Sequence, residues 1–225
     1  MPDTTAAVEV LLEDRHCYLI RNCLSLSEQT SIYQDILCRS KDTDNRSKSC
    51  MHPTPKTIIF DGNQSSLKFS GDNTYNTLIV QNANGILRKE AQNKSQNGML
   101  SKIMTTSCGT DTKMSIGVIR YHVPDGKFPE HVDHCNDNSW VYLLSLGCSA
   151  TFVVKGPHSE KQMFQFNSGD VLVFDPSSDA AIVHGVNSID GSINGDDLPS
   201  DCPEDFLQYR FGVQCRVKMQ TQKYF

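Results

Sequence analysis

The second half of this chain is a succession of short apolar runs, each cut off by a turn signal, and that punctuation restricts the folds open to it. Met114–Tyr121, Val141–Leu146, Ala150–Val154, Gln162–Phe166, Val171–Phe174 and Phe206–Met219 are rich in β-branched and aromatic residues. Between them stand PDG, LG, KGP, NSGD and DPSS. Runs of this kind, broken by Gly and Pro, read as strands. Several short strands at this close spacing argue a β-sandwich or barrel, not alternating βαβ units.

The first half is mixed. Strands are predicted around Val8–Leu12 and Cys17–Ile20, and Ser27-Glu28 opens an amphipathic helix with Ile32, Ile36 and Leu37 on one face. Lys41–Pro55 is polar and reads as an exposed loop, Lys56–Phe60 as a strand and Leu78–Val80 as another. Gly85–Met104 has helical spacing (Ile86, Leu87, Ala91, Leu100, Ile103), interrupted near Asn97-Gly98. Ser188–Asp205 is acidic and rich in Gly, Ser and Pro, as a surface insertion would be.

A chain of 225 residues can bury a substantial core. Its mean hydropathy is −0.40, and no apolar run approaches the roughly 20 residues that cross a bilayer. The opening MPDTTAAVEVLLEDR lacks the basic flank of a secretory signal. Nine cysteines form an odd set without a CxxC pair, so free thiols and a cytoplasmic or nuclear setting are expected. A net charge of −5 gives no general attraction for nucleic acid, which would need a local basic patch.

Chemistry concentrates at three residues. His131 and Asp133 are two apart in EHVDHC, so on a strand both side chains face one side. His184 follows in AAIVHGV, after the strand-like GDVLVFD. Two imidazoles and one carboxylate are the ligand set that holds ferrous iron while leaving coordination positions open. The residual positive charge on such an ion favours an anionic chelator. H-x-D alone recurs by chance among seven histidines. His134 should face the opposite way, and His16, His52, His122 and His158 read as loop or solvent residues.

The last strand alternates. Phe211, Val213, Cys215, Val217 and Met219 share one face, and Arg210, Gly212, Gln214, Arg216 and Lys218 the other. A polar outer face would explain this pattern. Alternatively, the two arginines, roughly 20 Å apart at about 3.3 Å per residue, reach toward each other over Gly212 and grip a short dicarboxylate. The planar guanidinium fork suits that task.

In this order the motifs resemble the AlkB-type 2-oxoglutarate- and Fe(II)-dependent dioxygenases. RYHVPDGKFPEHVD is similar to the family's tyrosine, Pro-Gly turn and H-x-D segment. WVYLLSLGCSATFVV and FNSGDVLVFD resemble its Ser-Leu-Gly and GDV strands. IVHG and RFGVQCR resemble its distal histidine and paired arginines. The likeness runs from about Lys56 to Val217. It implies a mainly β chain with flanking helices, built on a double-stranded β-helix (jelly-roll) core. It implies one domain over residues 1–225, with helices and a substrate lid in 1–106 and the catalytic core in 107–225. It implies His131, Asp133 and His184 as iron ligands, Arg210 and Arg216 at the two ends of 2-oxoglutarate, and Tyr121 as a hydrogen-bond partner of that co-substrate. Dioxygen is the second co-substrate.

Four positions depart from the family pattern. Gly212 and Gln214 replace the usual Asn and Thr, Ile119 replaces an Asn, and Cys135 takes the slot of a base-reading acid. The resemblance implies oxidative demethylation of N-alkylated nucleobases in DNA or RNA, with nucleic acid as partner. Candidate stacking residues are His52, Phe60, Phe69 and Tyr75, and candidate phosphate contacts are Lys56, Lys68, Arg88, Lys89 and Lys94. The acidic net charge and Cys135 favour the alternative, a hydroxylase or demethylase of a protein side chain or small molecule. A binding module without turnover is a third class.

Overall fold

A computed structural model of the chain describes residues 6–12, 17–42, 57–60, 74–94, 114–123, 125–135, 138–190, 206 and 209–218. Strands β1 (Ala7–Leu12), β2 (Cys17–Arg21) and β3 (Thr57–Phe60) come from the first half, with helices α1 (Leu26–Asp42) and α2 (Thr74–Lys94). The second half supplies β4 (Met114–His122), β5 (Phe128–Val132), β6 (Ser139–Gly147) and β7 (Ser149–Lys155). It continues with β8 (Gln162–Phe166), β9 (Val171–Phe174), β10 (Val183–Asp190) and β11 (Tyr209–Lys218).

The strands form a seven-stranded sheet, β1-β2-β9-β6-β11-β4-β3, and a four-stranded sheet, β5-β10-β7-β8. Every pairing is antiparallel. The major sheet sits between two layers. Val141, Leu172 and Phe174 meet Phe152, Val154, Phe166 and Ile189 of the minor sheet. On the other face Tyr142, Leu144, Phe211, Val213 and Cys215 lie in one cluster with Ile32, Tyr33 and Ile36 of α1 and Ile79, Val80, Ala83 and Leu87 of α2. The Tyr142 hydroxyl donates to Asn84 Oδ1 at 2.8 Å, tying α2 to the sheet centre. Two facing antiparallel sheets of this order are a double-stranded β-helix. The sandwich expected from the turn punctuation is present, and β1, β2 and β3 widen its major sheet at both edges.

Four expectations need correction. Leu78–Val80 is helix, inside α2: Ile79, Val80, Ala83 and Leu87 recur at helical spacing, and a three-residue apolar run cannot be told from strand by periodicity alone. The helix α1 opens before Ser27, because Ser25 and Glu28 form a capping box. Ser25 Oγ accepts the Glu28 N–H at 3.4 Å, and Glu28 Oε2 accepts the Ser25 N–H at 2.7 Å. The last strand is Tyr209–Lys218, and Phe206 is a separate buried residue whose ring meets Tyr33 edge-on at 5.0 Å. The surface insertion predicted for Ser188–Asp205 starts too early, since Ser188–Asp190 complete β10 with Ile189 buried; its residues 191–205, the segment around Asn97-Gly98 and most of the Lys41–Pro55 loop lie outside the described residues.

The seam between sheets is closed by charge. Arg21 on β2 binds Glu9 Oε1 at 2.7 Å and the buried Asp170 Oδ2 at 2.8 Å, and it also donates to the Gln165 carbonyl on β8. Beside it, Gly169 occupies the left-handed region (φ 86°) in the turn before β9. A Cβ there would lie 2.3 Å from Gln29 Nε2 and 3.0 Å from the Leu24 carbonyl. Gln29 is itself held by Leu24 O at 2.9 Å and Ser168 Oγ at 2.6 Å, so it cannot retreat freely. Gly169→Ala should therefore destabilise the protein by about 2 kcal/mol, read as a lower urea midpoint at unchanged slope. An unchanged midpoint would contradict the tight packing of this turn on α1.

Candidate metal centre and co-substrate pocket

His131 on β5 and His184 on β10 are direct partners in the antiparallel ladder, a relation that brings their Cβ atoms to about 5 Å. Their ring centroids are 4.4 Å apart. Asp133, just past the end of β5, keeps the parity predicted for H-x-D. One ligand atom from each of His131, Asp133 and His184 lies within 4.8 Å of the others, and this is the one such cluster among the described residues.

The surroundings fix the rings. Nδ1 of His131 stands 3.0 Å from the Pro129 carbonyl, and Nδ1 of His184 stands 3.2 Å from the Ile182 carbonyl. A carbonyl only accepts, so both Nδ1 atoms carry the proton, and in the neutral rings the Nε2 lone pairs are left for a ligand. Phe128 packs on His131 at 4.8 Å between centroids, and Phe174 packs on His184 at 4.7 Å. Asp133 is shared: Oδ1 is 3.5 Å from His131 Nε2, and Oδ2 accepts from Arg216 Nη2 at 2.9 Å. Burial alone would push the Asp133 carboxyl up; its contact with His131 and the nearby positive charges hold it below its ordinary value. Asp133 likewise raises His131, whereas burial lowers His184, which stays neutral.

Arg210 lies deeper, on the same inward face of β11 as Arg216, so the alternation seen in the sequence lines the interior. Its side chain is 1% exposed. Nη1 donates to Ser145 Oγ at 2.5 Å, to the Phe166 carbonyl at 3.2 Å and to the Cys148 carbonyl at 3.3 Å. The guanidinium lies 5.1 Å from the centre of the Phe166 ring. These partners are all neutral, Nε has none, and burial pushes the guanidinium down to about 10. The carboxylate that acts on it from a distance, Asp170, is already bound to Arg21, Asn22 and Asn167. A buried cation without a counter-ion is expensive. Tyr121 faces Arg210 across the β4–β11 ladder, and its ring would stand 3.6 Å from a Cβ on Gly212. Burial lifts its phenol to about 12, so it remains a donor.

The structure thus brings His131, Asp133, His184 and Arg216 together and sets Arg210 farther along β11, with Tyr121 opposite it on β4. Arg216 reaches Asp133 instead of turning toward Arg210. Sequence reasoning missed Ser145, which strand parity could have found, since it alternates with Val141 and Leu143 on the inward face of β6. Arg88 and Lys89 are exposed on α2, against the outer face of the major sheet. His134 and His158 are exposed, as expected. His52, Lys56, Lys68 and Phe69 lie outside the described residues, and the side chains of Phe60, Tyr75 and Lys94 are not described.

Two imidazoles whose Nδ1 atoms face carbonyls and whose Nε2 atoms lie near one carboxylate, with one carboxylate oxygen uncommitted to Arg216, are a donor set that fits divalent iron. The chain belongs to the 2OG-Fe(II) oxygenase superfamily, whose sequence profile matches residues 16–216. It is a 2-oxoglutarate- and Fe(II)-dependent dioxygenase, with iron, 2-oxoglutarate and dioxygen as its cofactor and co-substrates. Its fold is similar to that of OsALKBH1, with a TM-score of 0.56 and 17% identity over 95% of this chain and 100% of that one. A prolyl hydroxylase in complex with a hypoxia inducible factor oxygen degradation domain peptide fragment, from Trichoplax adhaerens, gives 0.53 and 11% over 92% and 86%. A Pseudomonas putida prolyl-4-hydroxylase gives 0.50 and 10% over 92% and 94%. No curated protein matches the sequence significantly. No helix among the described residues is long and apolar enough to cross a membrane.

The uncompensated charge of Arg210 has a stability consequence. In the protein without ligands, Arg210→Met should leave the melting temperature unchanged or raise it by a few degrees, because a buried cation with only neutral partners is replaced by apolar volume. A clear fall in melting temperature would show that the guanidinium supports the fold.

Proposed function

We propose that His131, Asp133 and His184 hold the ferrous ion, that Arg210 with Tyr121 receives the distal carboxylate of 2-oxoglutarate, and that the enzyme demethylates N-alkylated nucleobases in DNA or RNA. The buried, uncompensated Arg210 carries the co-substrate assignment: a carboxylate is the partner that its charge lacks, and a bidentate pair would also engage the orphaned Nε. Arg216 takes a role other than co-substrate contact in this reading. By holding Asp133 Oδ2 it orients the carboxylate and leaves Oδ1 toward the two imidazoles. Iron bound here, with dioxygen, would oxidise 2-oxoglutarate to succinate and carbon dioxide and hydroxylate a substrate C–H bond. On an N-methyl group the hydroxylated product loses formaldehyde. The protein keeps His184 neutral by burial, holds the Asp133 carboxylate ionised, and packs Phe128 and Phe174 against the two imidazoles.

The nucleobase assignment rests on the ordered AlkB-type motifs from Arg120 through Arg216. A protein side chain is the second reading. Cys135 supports it by standing where the family pattern has a base-reading acid, as does a net charge of −5. Formaldehyde and succinate release, measured over methylated oligonucleotides, peptides and nucleosides, separates the two. The first reading expects turnover on oligonucleotides, inhibited by salt, and turnover confined to peptides would overturn it.

His131→Ala or Asp133→Ala should abolish turnover with the fold retained, and activity in either would refute the metal assignment. Arg210→Met should raise the 2-oxoglutarate requirement on the order of a hundredfold, as expected when one member of a buried charged pair is removed. An unchanged requirement would place the anchor elsewhere.

A further inference from the structure

Gly185, immediately after His184, sits where β5 and β10 fall out of register. Val183 pairs with Val132 and His184 with His131, yet Val186 pairs with Phe128. Pro129 and Glu130 of β5 therefore oppose Gly185 alone, a β-bulge placed beside the imidazole pair. The bulged backbone folds down onto the glycine. A Cβ at Gly185 would lie 2.9 Å from the Phe128 carbonyl oxygen, and 3.1 Å from both N and Cα of Glu130. All three are backbone atoms, so no rotamer change relieves the collision. Among the glycines of the strands, Gly117 meets nothing within 4 Å and Gly212 meets side chains at 3.6 Å or more. Neither presses on a neighbouring backbone.

We infer that Gly185 is a positioning residue of the metal centre: its missing side chain lets β5 close on β10 and so sets the separation of His131 from His184. The inference rests on the reading of these histidines as iron ligands. A methyl group would drive β5 off β10 by about half an ångström, from 2.9 Å to the 3.4 Å at which ordinary contact begins. Metal sites hold their ligand distances to within about 0.2 Å, so that retreat exceeds what the centre tolerates. His131 moves with β5 because its ring is held to the bulge itself, through Nδ1 on the Pro129 carbonyl and through Phe128. His184 stays with β10, held by Ile182 and Phe174.

The test is titration with Mn(II), following free Mn(II) by electron paramagnetic resonance, on the metal-free full-length protein. Gly85→Ala serves as a remote control, since a Cβ at Gly85 of α2 meets nothing within 4 Å. Wild type and Gly85→Ala should bind one ion with equal affinity. Gly185→Ala should bind at least tenfold more weakly while its circular dichroism spectrum remains that of the wild type. Equal affinity in Gly185→Ala overturns the inference and leaves the ligand assignment standing. Failure of the wild type to bind removes the centre, and the inference with it. Should Gly185→Ala not fold, the double variant with Pro129→Gly loosens β5. Its affinity, compared with Pro129→Gly alone, should fall at least tenfold, and equality overturns the inference.

Discussion

Two arginines on one face of β11 join the sheets of this molecule. The minor sheet has β5 at one edge and β8 at the other. Arg216 reaches across to Asp133 at the end of β5, and Arg210 reaches to the Phe166 carbonyl at the end of β8. The gap between the sheets is therefore spanned at both margins by charged side chains from a single central strand. Long apolar side chains could fill the same space, but they would leave nothing to receive an anion or orient a carboxylate. Here β11 alternates: the odd-numbered positions Phe211 to Val217 pack with the cluster beneath α1 and α2, and the even-numbered Arg210 and Arg216 reach toward the minor sheet.

The two guanidinium groups are not equivalent. Arg216 is paired with a carboxylate and partly exposed, so its charge is balanced within the protein. Arg210 is fully enclosed among neutral acceptors, and among the described residues no carboxylate touches it. In the proposed role, the energy that pairing would contribute to folding is released on binding a dicarboxylate instead. The imidazoles follow a similar logic. Backbone carbonyls take their Nδ1 protons, aromatic rings hold their planes, and Nε2 is left without a partner of its own in His184 and with only a long contact to Asp133 in His131.

Much of this was legible in the residues. The turn signals marked the strands of a sandwich or barrel, H-x-D parity put His131 and Asp133 on one side, and the alternation of 210–218 put both arginines on one face. What escaped reading has physical causes. The partners of Arg210 include carbonyls of Cys148 and Phe166, and a carbonyl carries no sequence signature. The pairing of Arg216 with Asp133 depends on how two sheets face each other, which local periodicity does not encode. The strand β5 contains Pro129 and Glu130, poor strand formers, and exists because β10 pairs with it. Leu78–Val80 misled because three apolar residues fit either period until Ala83 and Leu87 are counted with them.

The most direct test of the account is anomalous diffraction from anaerobic crystals soaked with Mn(II) and 2-oxoglutarate. One peak should lie within bonding distance of Nε2 of both histidines and of the Asp133 carboxylate, with the far carboxylate of the diacid against Arg210. A peak elsewhere, or a diacid that leaves Arg210 without an anion, would contradict it.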